Sequence, residues 1–91
     1  MKFDEVNEAL DWLESQEDIP KALEGYPGVK CNNWKCPIAN FVLSTTDIAV
    51  NVGVYWVEDR NGSGGGYRLG ENLLSFKDKF DEGDYPHLVQ K

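Results

Sequence analysis

The chain has 91 residues, enough for one domain, and its three Trp, four Tyr and four Phe supply the burial that a small core otherwise lacks. Its net charge of −7 disfavours ordinary binding to nucleic acid or to an anionic membrane, because the phosphate-neutralising cations are missing. No apolar run reaches the length of a membrane span, and Met1-Lys2-Phe3-Asp4-Glu5 has no basic stretch leading into an apolar one. No export signal is therefore expected, and with two cysteines the expected compartment is the reducing cytoplasm.

Residues 4–17 read as an amphipathic helix. Val6, Leu10 and Leu13 recur at three- and four-residue spacing, with Phe3 and Ala9 flanking the same face. Trp12 falls at the border of that face. The other side is acidic, with Asp4, Glu8, Asp11, Glu14 and Asp18. Residues 1–24 hold eight acids against Lys2 and Lys21, so nearly all the excess charge belongs to this segment. Ile19-Pro20 interrupts the helix; Asp18 caps a short second turn that stops at Gly25, and Tyr26-Pro27-Gly28 is a turn.

Cys36-Pro37 opens the next helix, which runs to about Ser44, because proline is favoured at the first helical position. Ile38, Phe41, Val42 and Leu43 cover much of its circumference, the pattern of a buried helix. Residues 48–57 read as one strand, with Ile48, Val50, Val52, Val54 and Trp56 on one face. A return strand follows. A turn at Asn61-Gly62 would pair Trp56 with Tyr67, Tyr55 with Arg68 and Val54 with Leu69; the competing reading is a longer glycine-rich tip over residues 61–66. A last helix spans about Asn72 to Glu82, with Leu73, Phe76 and Phe80 inward and Gly83 as its stop. Tyr85 and Leu88 can pin the tail to the body. The expected fold is a small α+β domain over residues 1–91, about three helices on a two-stranded antiparallel hairpin in the order α-α-β-β-α.

Catalytic and metal-binding sets are absent from the sequence. Cys31 and Cys36 stand at C-x4-C spacing with one histidine, His87, in the whole chain, which falls short of a zinc site. No metal or cofactor is expected, and no hydrolase or phosphate-loop motif is present. Cys36 at a helix start invites a reactive thiolate; the plainer reading is two small core residues. The segment Arg60 to Arg68 brackets a glycine run with two arginines, an arrangement that suits a nucleotide or phosphate. Yet it joins two strands rather than opening a helix, and Glu58 and Asp59 adjoin it.

The pattern Trp34-x-Cys36-Pro37-Ile38-Ala39-x-Phe41-Val42, with Phe76-x-x-x-Phe80-Asp81-x-Gly83-x-Tyr85-Pro86-x-Leu88, resembles a group of small uncharacterised proteins of bacteria, notably actinobacteria, and their phages. The likeness spans residues 31–43 and 73–88. It implies a phage or mobile-element accessory protein and brings no activity to any residue.

The expectation is a non-enzymatic acidic module that binds a protein partner with a basic surface through Glu8, Asp11, Trp12 and Glu14, in the concrete form of a phage-encoded inhibitor of a host defence protein. The alternatives are a small-ligand or nucleotide binder using Arg60 and Arg68, and a mimic of the DNA phosphate backbone.

Overall fold

The computed structural model describes residues 2–59 and 66–90, and the fold is α+β. Helix α1 (Val6–Glu14) buries Val6, Ala9, Leu10 and Leu13, as its spacing predicts. The chain enters it along α3, where Phe3 N–H donates to the Thr45 carbonyl (2.7 Å). Helix α2 (Ile19–Ala22) is a single turn capped by Asp18, whose carboxylate accepts from Lys21 N–H (3.1 Å). It delivers Ile19 and Leu23 to the core.

Helix α3 (Pro37–Thr46) is the central element. Cys36 caps it, Pro37 opens it, and Asp47 ends it in the left-handed region at φ 62°. Ile38, Ala39, Phe41, Val42 and Thr45 are buried, and the Thr45 hydroxyl donates to the Phe41 carbonyl (2.8 Å), which satisfies it locally. Burial is not all round, contrary to the pattern expected from the sequence: Leu43 and Ser44 lie on an exposed strip. Phe41 gathers the first aromatic cluster, with Trp12 stacked on it (5.7 Å, 14°) and Tyr26 edge-on (5.1 Å).

The sheet has three antiparallel strands in the order β1 (Val50–Val52), β2 (Trp56–Asp59) and β3 (Gly66–Arg68), where two were expected. The expected single strand over 48–57 folds back on itself at Val54-Tyr55, with Gly53 N–H donating to the Trp56 carbonyl (2.7 Å). Val52 pairs with Val57, so the inward phase shifts by one residue across the turn. Val50, Val52 and Val57 point into the core, while Val54 and Trp56 point out, so the residues expected together on one face are divided between two. The β2–β3 register shifts with it: Trp56 pairs with Arg68 and Val57 with Tyr67, one residue from the expected pairs. Leu69 is buried and Tyr67 half-buried on the inner face, on the side of Val57. The Asn61-Gly62 turn lies outside the described residues.

Helix α4 (Glu71–Glu82) buries Leu73, Phe76 and Phe80 and ends at Gly83, φ 95°. Gly83 N–H donates to the Phe80 carbonyl and Asp84 N–H to that of Lys79 (both 3.0 Å), a glycine-terminated helix end. The tail then returns to the body. Tyr85 stacks on Phe76 (5.2 Å, 12°), and Leu88, in a 3₁₀ turn over Pro86–Leu88, is fully buried. Gly28 N–H donates to the Leu88 carbonyl (2.8 Å) and Gln90 N–H to that of Gly28 (2.7 Å), fastening the C-terminal segment beside the 28–36 loop. One cluster of buried side chains joins all four helices and the sheet.

Candidate functional site

The four acidic-helix residues have different fates. Glu8 and Asp11 project into solvent from α1. Trp12 is half-buried, stacked on Phe41 and tilted against Phe3, so its indole serves packing as well as surface. Glu14 reaches across to α4. Its two carboxylate oxygens accept from Asn72 N–H (2.9 Å) and Leu73 N–H (3.0 Å), and its carbonyl accepts from the Asn72 side-chain amide (3.3 Å). A carboxylate in that position satisfies orphan donors at a helix N-terminus and complements its dipole. Glu14 is therefore engaged within the fold.

The largest apolar exposure lies elsewhere, at the β1–β2 tip. Val54, Tyr55 and Trp56 are 67%, 58% and 51% exposed, three consecutive residues on a hairpin held by ladder bonds on both sides. The tip is tied further by Leu69 N–H, which donates to the Tyr55 carbonyl (2.9 Å). On the outer sheet face, Trp56 stands beside Glu58 along β2 and opposite Arg68 on β3, while Asn51 of β1 stands opposite Glu58. The indole leans toward Gly66, where a Cβ would meet its Cε3 at 3.3 Å. A shallow pocket of about 190 Å³ opens between the tip and this face, lined by Asn51, Gly53, Val54, Tyr55, Trp56 and Glu58.

The 28–36 loop comes to the same end of the molecule. Val29 N–H closes it by donating to the Lys35 carbonyl (2.8 Å), and the Asn32 side chain accepts from Trp34 and Lys35 N–H (3.0 and 3.1 Å). The Asn33 carbonyl accepts from Val52 N–H (2.8 Å), which covers the outer edge of β1. Trp34, half exposed, follows directly. Cys31, at φ 56°, donates its N–H to Asp81 Oδ1 (2.9 Å), and Asp81 Oδ2 pairs with Lys77 (3.2 Å).

The thiols offer little chemistry. Cys31 and Cys36 are free, and Cys36 is buried. Its Sγ accepts from Ala39 N–H (3.5 Å), and this helix-start contact favours the thiolate, but burial outweighs it and pushes the thiol above its ordinary range. Among the described residues no group of three or more His, Cys, Asp or Glu is placed to hold a metal, and no helix is long and apolar enough to cross a membrane. Arg68 is exposed on β3; Arg60 lies outside the described residues.

No family model matches the chain, and comparison with curated proteins and with solved structures finds no significant match. The residues that sequence reasoning passed over are those of the tip. Gly53 within the valine run was the available signal, since an isolated glycine in a strand pattern marks a bend or close backbone approach.

Proposed function

We propose that the protein is a non-enzymatic binding module that docks on a protein partner with a basic surface, using the Val54-Tyr55-Trp56 tip as its apolar anchor. The observation that carries this reading is the tip itself: a turn that ordinarily holds small polar residues instead presents an aliphatic and two aromatic side chains to solvent. Aromatic anchors on a rigid element are the residues that dominate protein interfaces. The acidic charge, with Glu8 and Asp11 exposed on α1, steers the encounter toward a basic surface. Glu14 drops from the contact set because its carboxylate caps α4. The likeness to small actinobacterial and phage proteins supports a phage-borne accessory protein, and the concrete form proposed is an inhibitor that occupies a host defence protein.

Among the described residues nothing favours the anion-binding reading over this one. Glu58 rather than Arg68 lines the pocket beside Trp56. The DNA-mimic reading loses Glu14 from its row of charges.

The test is affinity capture from the native host cell, comparing the wild-type chain with Y55S/W56S and with E8K/D11K. A partner retained by the wild type, reduced at least tenfold by the tip variant and weakened by salt and by charge reversal, is the expected result. The same proteins recovered with all three baits would overturn the reading.

A further inference from the structure

The outer sheet face carries a chemistry more specific than an apolar anchor. Asn51 Oδ1 is shut from solvent and accepts no hydrogen bond. A buried carbonyl oxygen without a donor is disfavoured, and such groups call for an explanation. The side-chain amide turns on a broad two-fold torsion, so this acceptor can be presented to the adjoining pocket. Glu58, directly across the ladder, brings a carboxylate to the same pocket and forms no ion pair among the described residues. Tyr55 and Trp56 supply aromatic surface on the other side.

We infer that this pocket receives an arginine side chain of the basic partner. The inference rests on the docking reading above and names the group that is recognised. Two acceptors, one of them charged, together with two aromatic rings, match a planar cation that donates several hydrogen bonds and stacks on ring faces. An anion is repelled by Glu58, and an aliphatic side chain leaves Asn51 unsatisfied. The ammonium of lysine takes the charge but lacks the flat face and the forked donors. Among the described residues Arg68 is the guanidinium nearest in the sheet, opposite Trp56 on β3, and it lies outside the pocket lining.

The test is an NMR titration of the whole protein at low salt with acetyl-Gly-Arg-Gly-amide, its lysine counterpart and its neutral citrulline counterpart. The arginine peptide is expected to shift the Asn51 side-chain amide and the Trp56 indole N–H, saturating in the millimolar range. Citrulline should bind at least tenfold more weakly, and lysine several-fold more weakly. Glu58→Gln should weaken the arginine peptide several-fold while Glu24→Gln, exposed and away from the pocket, leaves it unchanged, and native-like signals of the buried Leu13, Leu73 and Phe80 report that each variant is folded. Equal binding of citrulline, shifts confined to Glu8 and Asp11, or no shift at all would overturn the inference. Failure here is separable from failure of the docking reading. A pocket blind to arginine in a protein whose capture still depends on Tyr55 and Trp56 removes the cation chemistry alone. An arginine-binding pocket in a protein whose capture ignores the tip removes the docking reading alone.

Discussion

Glu14 and Gly70 form a pair separated by most of the chain. Gly70 precedes α4 at φ −73° and ψ 167°, a conformation open to any residue, so backbone freedom does not explain a glycine there. The Glu14 carboxylate does, because a Cβ at Gly70 would overlap it. Glu14→Ala should cost about 1 kcal/mol, the usual value of a lost N-terminal cap. Gly70→Ala should cost a similar amount by displacing the carboxylate, yet be neutral or mildly stabilising in the Glu14→Ala background. Urea unfolding of the four proteins reads this coupling, and additive losses would refute it. Cys36 makes a second prediction at this scale. Burial holds its thiol protonated in the native state above the value of an unfolded thiol, about 8.5. Stability contributed by this group is thus complete below that pH and is lost as pH rises toward the native value, because the unfolded chain ionises first. Cys36→Ala should flatten the alkaline fall in stability. Iodoacetamide should label exposed Cys31 in the native protein and Cys36 upon unfolding.

The β1–β2 hairpin shows what an element does that its residues do not announce. Val54 and Tyr55 both keep negative φ, whereas the turns favoured in two-residue hairpins have left-handed residues such as Asn-Gly. A tip chosen for stability alone would have that composition. Val54→Asn with Tyr55→Gly is therefore expected to leave the melting temperature unchanged or raised while abolishing partner capture. A melting temperature several degrees lower would show that the tip serves folding instead. The 28–36 loop is held just as closely. Gly28 packs against the backbone of Lys35–Pro37 with no room for a Cβ, and its own N–H and carbonyl bond the tail. Helices were legible from spacing, caps and stops: Pro37, Gly83 and the α1 periodicity each act locally. The valine run was not, because alternation reads alike for one long strand and for two short ones joined by a tight turn.

At the scale of the molecule, the C-terminal segment closes the fold. Leu88 is fully buried, Tyr85 stacks on Phe76, and two hydrogen bonds join residues 88 and 90 to Gly28. Leu88→Ala should cost about 2–5 kcal/mol, the range for a buried leucine, and lower the denaturation midpoint without changing the denaturant slope. A loss below half a kilocalorie, on the same measurement, would show that the tail is peripheral. Burial of Leu88 was foreseeable from its apolar character in a polar tail; its partner Gly28, sixty residues earlier, was not.

By itself the sequence determined the α+β class, where the helices lie along the chain though not their ends (the first was read over 4–17 and spans Val6–Glu14), the sign and location of the charge, and most of the core, because periodicity, capping and composition act over a few neighbouring residues. Tertiary structure decided where the valine run turns, which face Trp56 occupies, and that Glu14 belongs to a helix cap rather than to an open acidic face. Those outcomes depend on contacts between residues far apart in the chain. The phase of β2 follows from burying Val57 beside Tyr67 and Leu69, and the role of Glu14 follows from the packing that brings the start of α4 to the end of α1.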